Sequence, residues 1–330
     1  MKKQQIAMIA MTSLLGACTT NSNNDETIIT RPEVDIVDGQ YTVDALEAMG
    51  RVSSPVVSPD GSKVLYGISY ESVALNKSNN ELWIMNLDGS DATQLTSTPK
   101  SESNAVWIDG GKRIAFLYDG QIWAMNADGS GRTQLSDVAG GIQGFSFSPD
   151  QKHVVMICSV KYARTAQDVY PDLPDATGRI IDDLMYKHWD EWVTEIPHPF
   201  LASFDGKSVS DVKDIMADEP FEAPMKPFGG IESFAWSPDS KSLVYVSRKK
   251  TGMEYSLSTD SNLYLYDLES ATTSNLTEGM HGYDTAPAFS PDGTRLAWLS
   301  MEHDGYESAK PRIFVLDIVS GTNTDLTAAW

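Results

Sequence analysis

Apolar residues in this chain come in short alternating runs separated by turn residues, the pattern of half-buried β-strands. Four segments share a Ser-Pro-Asp core followed by such a run: VSPDGSKVLYG, FSPDQKHVVMI, WSPDSKSLVYV and FSPDGTRLAWL, with a degenerate fifth, WIDGGKRIAFL. Aligned on the position of Ser58, they fall at 58, 108, 148, 237 and 290, at intervals of 50, 40, 89 and 53 residues. Ser suits the first position of a type I turn, Pro presets φ at the second, and Gly often closes it. A second block follows each turn: LWIMNLDGSDATQLT, IWAMNADGSGRTQLS, FLASFDGKSVSDV, LYLYDLESATTSNLT and IFVLDIVSGTNTDLT. Each reads as strand, tight turn and short strand.

One unit thus supplies roughly four strands over about 40–50 residues, the size of a propeller blade. The pattern predicts an all-β fold, a β-propeller with about five four-stranded blades present as part of a larger propeller. Trp83, Trp123, Phe200, Tyr264 and Phe314 recur at one position of the third strand, where they are expected to pack blade against blade. The segment YTVDALEAMG has helical spacing at Val43, Leu46 and Met49 and does not read as a strand completing a last blade.

The long interval from Ser148 to Ser237 signals an insertion in the third blade, about 165–198. It begins near YPDLPDATG and rejoins the blade at Pro199-Phe200-Leu201. Within it, Ile181, Met185, Trp189, Trp192, Val193 and Ile196 form one stripe at helical spacing. Asp183, Lys187, Asp190 and Glu191 fall on the other side, which predicts a helix with Asp183–Lys187 and Lys187–Glu191 pairs.

The composition is ordinary for a globular chain of 330 residues, 41% hydrophobic and 22% charged. A formal charge of −21 disfavours nucleic acid as a partner, because phosphate backbones are repelled. At the N-terminus, Lys2 and Lys3 precede the apolar run IAMIAMTSLL, too short to span a bilayer. LGAC at 15–18 and the polar TTNSNNDE follow. This order resembles the lipobox of bacterial lipoproteins, which implies a signal peptide at 1–18, lipid on the Cys18 thiol and a flexible tether at 19–40. The expected location is the bacterial cell envelope, lipid-anchored, periplasmic or outer-membrane-facing, with the membrane touched only through the anchor. Cys158, in VVMICSV, is then unpaired and expected to be an inert buried thiol.

The blade motifs resemble TolB-type propeller repeats. The stretches IIDDLMYKHWDEWV (180–193), HGYDTAPAFSPDGTRLAWLSMEHDGYESAKPRIFVLD (281–317) and YTVDALEAMGRVSSPVVSPDGSKVLYG (41–67) resemble more narrowly the propeller of bacterial dipeptidyl peptidases of the prolyl-oligopeptidase class, serine peptidases related to acylaminoacyl-peptidases. That resemblance implies an N-terminal propeller, here 41–330, gating a C-terminal α/β-hydrolase domain with Ser, Asp and His. It also implies peptide substrates with a free N-terminus. Enzymes of this kind hold the substrate's α-ammonium with acidic residues from a propeller insertion. The residues matching that role are Asp190 and Glu191, flanked by Trp189 and Trp192, with Glu302 as a second choice.

The hydrolase's own Gly-x-Ser-x-Gly elbow is not found. Gly67-Ile68-Ser69 and Gly144-Phe145-Ser146 start such a pattern, but both lack the closing Gly and lie in strand-like runs. No residue is assigned a catalytic role, and the chain alone is expected to be inactive, most of a propeller cut before the catalytic domain. No cofactor or metal is implied. His281 with Asp284 and His303 with Asp304 read as polar loops, and the runs at Asp88 and Asp128 read as hairpin turns lacking a calcium loop's remaining ligands. The alternative is a stand-alone, membrane-anchored five-bladed propeller that binds a protein or peptide without catalysis.

Overall fold

The computed structural model describes residues 27–36 and 38–330. The lipobox with Cys18 and the apolar run before it lie outside the described residues. Five four-stranded antiparallel sheets, each with strands paired in chain order, span 51–94, 102–134, 144–214, 234–275 and 284–325. The chain is an all-β propeller, and these sheets are its blades 1 to 5. Helix α1 (Val43–Glu47) precedes blade 1, with the Thr42 hydroxyl accepting from the Ala45 amide. Ile29 is buried, so the later part of the expected tether is not free of the fold.

The Ser-Pro-Asp repeat earns its recurrence through a side-chain latch. Ser58 Oγ donates to Asp60 Oδ1 at 2.6 Å and accepts from the Lys63 amide at 2.9 Å. Ser148, Ser237 and Ser290 repeat both bonds. The turn closes the first strand onto the second, so its loss frees both. In the degenerate unit, Gly110 at φ 65° and Gly111 at φ 89° make the turn by backbone conformation instead.

Between blades, the two-residue period of each second strand sorts its side chains into separate interfaces. Ile114 and Phe116 pack against Leu65 and Leu82 of blade 1, whereas Ala115 and Leu117 face blade 3. Val154, Met156 and Cys158 join the blade 2 side, and Val155 and Ile157 the blade 4 side. Leu243 and Tyr245 face back to blade 3, Val244 and Val246 on to blade 5. Third-strand aromatics act as expected: Trp123, Phe200, Tyr264 and Phe314 each pack at the interface with the preceding blade. Cys158 is buried, and burial pushes its thiol up to about 12, which removes the reactive thiolate at neutral pH. Ser69 and Ser146 sit inside blade strands, where no strand-to-helix elbow forms.

Simple meander blades put their first-to-second and third-to-fourth turns at one end. The second-to-third loops and blade-to-blade connectors therefore lie at the other. The three long second-to-third excursions, 162–194, 248–261 and 301–311, all leave from that second end. The insertion runs from 162, because His153–Lys161 pairs with Glu195–Phe204 without a break up to Lys161 and Glu195.

The expected helical stripe is not formed. The helical part of the insertion is one turn, α2 (Ala166–Val169), capped by Thr165 and Asp168. Residues 180–193 instead turn back on themselves, with Lys187–His188 paired to Glu191–Trp192 as a separate two-stranded sheet. The helical ion pairs do not form; Lys187 lies over the Trp192 ring, 4.5 Å from its centroid.

Candidate functional site

The hairpin tip is Trp189-Asp190. Trp189 takes φ +51°, a left-handed conformation that costs a bulky residue about 1–2 kcal/mol. Its ring is 74% exposed and meets the Phe228 ring edge-on at 5.4 Å. Phe228 belongs to the connector from blade 3 to blade 4 and is itself exposed. Two aromatics thus stand in solvent at the mouth of a cleft.

That cleft measures about 750 Å³. All three long excursions and the connector line it: His188 and Trp189 from blade 3, Lys226 from the connector, Arg248 and Tyr255 from blade 4, Tyr306 and Glu307 from blade 5. A smaller pocket of about 280 Å³, walled by Met225, Tyr283 and Met301, adjoins it and shares Lys226, Arg248 and Glu307. The Arg248 guanidinium lies 3.9 Å over the Tyr255 ring and donates through Nη1 to the Ser258 carbonyl. Its Nε is buried without a partner, which leaves a donor for an incoming acceptor oxygen.

Glu222 stands behind the cleft with its side chain 1% exposed. Its carboxylate meets His188 Nε2 at 2.7 Å and accepts from the Tyr255 hydroxyl at 2.5 Å and the Lys226 amide at 3.2 Å. Burial, and then the Glu222 charge, push the Tyr255 phenol above its ordinary value. Helix α3 (Gly252–Leu257) carries Tyr255. It starts at Gly252, with φ +57°, where a Cβ would collide with the Asp183 carboxylate.

The sequence-predicted residues separate into three groups. Asp190 and Glu191 are exposed beside the cleft mouth, and among the described residues their side chains make no hydrogen bond or ion pair. The Trp192 ring is already covered, with Arg179 at 4.1 Å and Lys187 at 4.5 Å from its centroid, so it is not free for a ligand cation. Glu302 lies outside the cleft lining and pairs with Arg312 at 3.1 Å, a guanidinium that also holds Asp325. Glu307, five residues on, is the acid that loop gives to the cleft. Asp304 caps the turn at Ser258–Asp260, and Asp284 accepts from the Trp298 indole. Asp88 and Asp128 close hairpin turns onto Ser90 and Ser130.

No family model matches the chain. It is 50% identical over 329 residues to dipeptidyl-peptidase 5 of Porphyromonas gingivalis, covering 98% of this chain and 46% of the relative. The chain is a homologue of dipeptidyl-peptidase 5. The protein of that name from Porphyromonas endodontalis is 45% identical over 279 residues, 83% of this chain and 40% of the relative. The chain therefore spans less than half the length of the relatives it matches. Among solved structures, the Pyrococcus horikoshii acylaminoacyl peptidase superposes with a TM-score of 0.59 at 18% identity, over 85% of this chain and 39% of that one. That likeness is one of fold.

Glu222, Tyr255, Arg248 and Glu307 were missed from sequence. A signal existed for one: Glu222 is a lone carboxylate in the apolar run Phe221–Met225, where burial demands partners. Nothing in the local pattern marks the others.

Proposed function

We propose that the chain is the substrate-gating and N-terminus-binding propeller of a dipeptidyl peptidase that works with an α/β-hydrolase domain on peptides with a free amino end. One observation carries this reading: every long excursion of the propeller converges on one cleft, and an unpaired acidic hairpin tip stands at its mouth. An enzyme that counts two residues from the amino end needs an anion at a fixed distance from its nucleophile. Asp190 and Glu191 supply that anion, and they hold the α-ammonium by a charge-assisted contact. Glu307 faces the same space and supplies a further carboxylate there. The propeller admits extended, free-ended chains to the cleft and excludes folded ones.

The test is kinetic, in the protein that contains this chain. A double Asp190→Asn, Glu191→Gln variant is expected to raise KM for free-amine dipeptidyl substrates by about tenfold or more, since a charge-assisted bond contributes about 1.5–3 kcal/mol. Its Tm is expected to stay within about a degree, because neither side chain has a partner to lose. Unchanged kinetics would place the anchor elsewhere.

The location is part of the same proposal. Lipid on Cys18 would tether the propeller to the envelope and leave the cleft facing incoming peptides. Cys18→Ala is expected to abolish lipidation and lipoprotein-type processing, read by mass spectrometry of the mature N-terminus. A mature chain that begins elsewhere than Cys18 and carries no lipid refutes it.

A further inference from the structure

Among the described residues, the acidic hairpin has no strand partner in any blade. Its base is tied down where the Thr194 carbonyl accepts from the Tyr162 and Ala163 amides, and an apolar cluster of Met185, Val193 and Ile196 with Tyr255 packs it; apolar contacts hold a segment down without fixing how its tip is turned. Direction has to come from polar bonds. Among the described residues, the side chains of 184–194 make one hydrogen bond to the rest of the propeller: His188 Nε2 to Glu222 Oε1 at 2.7 Å.

The receiving end of that bond is rigid. The Glu222 backbone carbonyl accepts from Ser247 Oγ at 2.8 Å, which ties it to blade 4. Its second carboxylate oxygen is fixed by the Tyr255 hydroxyl and the Lys226 amide. Tyr255 is clamped under Arg248 at 3.9 Å. Three donors converge on one buried carboxylate, so its geometry leaves little slack. His188 is the residue immediately before the Trp189-Asp190 tip. A rotation there moves Asp190 and Glu191 directly.

We infer that His188 and Glu222, with Tyr255 behind them, are positioning residues that set where the acidic hairpin tip stands over the cleft. The inference rests on the proposed anchor role of Asp190 and Glu191 for its kinetic consequence, but not for its structural one. A buried polar contact of this kind adds little net stability over well-packed apolar residues, so its value lies in fixing one arrangement. The bond from His188 to a carboxylate requires a proton on Nε2 at this distance.

The experiment uses His188→Ala and His188→Gln in the protein that contains this chain. Gln keeps a side-chain N–H able to reach Glu222. Amide hydrogen exchange over 186–193 is expected to quicken at least tenfold in His188→Ala, and to return towards the parent rate in His188→Gln. KM for free-amine dipeptidyl substrates is expected to rise about tenfold in the first variant with kcat within twofold, and to recover in the second. Quickened exchange with unchanged KM supports the latch and overturns the anchor reading of Asp190 and Glu191. Unchanged exchange overturns the latch, whatever KM does. Tyr255→Phe serves as a milder second variant, since it removes one donor from Glu222 and keeps the ring; it too is expected to quicken exchange, and failure of both variants to do so refutes the inference.

Discussion

Trp298→Ala is expected to destabilise the propeller by about 3–5 kcal/mol, the range for deleting a large buried aromatic. Trp298 is 2% exposed and stacks on Phe314 with centroids 5.7 Å apart. It lies in the shared core of blades 4 and 5, beside Val244, Val246 and Leu263. Its indole N–H donates to Asp284 Oδ1 at 3.2 Å. Asp284 is buried, and burial pushes its carboxyl up to about 6. Losing the indole therefore opens a cavity and removes a donor from a buried carboxyl group. Trp298→Phe separates the two effects. It keeps most of the packing and is expected to cost about 1–2 kcal/mol. Urea unfolding of each variant measures both. A cost under about 1 kcal/mol for Trp298→Ala would mean that blades 4 and 5 do not share a cooperative core.

The turns show why so much of the propeller was legible. Ser58, Asp60 and Lys63 form a closed local hydrogen-bond set, so the residues that build the turn are neighbours in sequence and recur wherever it does. Strand alternation is equally local, and the aromatics of the third strand follow from it.

The insertion failed for the complementary reason. Met185 and Val193 are buried together, but they meet across a reversal at Trp189-Asp190 and not along a helix face. A spacing of eight residues fits two helical turns and a short hairpin equally well, and periodicity alone does not separate them. The β-branched and aromatic content of Tyr186, Trp189, Trp192, Val193 and Thr194 was the available hint. Glu222 and Glu307 reach the cleft from a blade connector and another blade's loop. Such a meeting is set by the side-by-side packing of blades 3, 4 and 5, which no window of sequence contains. Asp190 and Glu191 were singled out by the resemblance, which marked the segment even where the periodicity assigned it the wrong shape.

A buried acidic pair between blades 1 and 2 predicts a pH dependence of opposite sign to ordinary acid denaturation. Glu81 and Glu102 are 2% and 0% exposed. Arg132 reaches Glu102 Oε1 at 2.9 Å, its guanidinium 4.0 Å over the Tyr118 ring. Glu81 Oε1 accepts from the Thr98 amide and from Asn79 Nδ2. The guanidinium thus serves Glu102, while the donors bonded to Glu81 are neutral. Burial, with the Glu102 charge adding to it, raises Glu81 from 4.5 to about 7. Between those two values the folded protein holds a proton that the unfolded chain has released. Stability contributed by this group therefore falls as pH rises from about 4.5 to about 7, and is level above that. Glu81→Gln keeps the acceptor for Thr98 and carries no charge to bury. It is expected to stabilise the protein at pH 8 by on the order of 1–2 kcal/mol, after partial solvent screening is allowed for, and to have much less effect at pH 5. Exposed turn aspartates such as Asp60 and Asp292, held at about 2 by their Ser and Thr donors, titrate well below this window and are common to both proteins. The difference between parent and variant in urea midpoint, taken at pH 5 and pH 8, isolates Glu81. An equal difference at both values would show that Glu81 is already ionised in the fold.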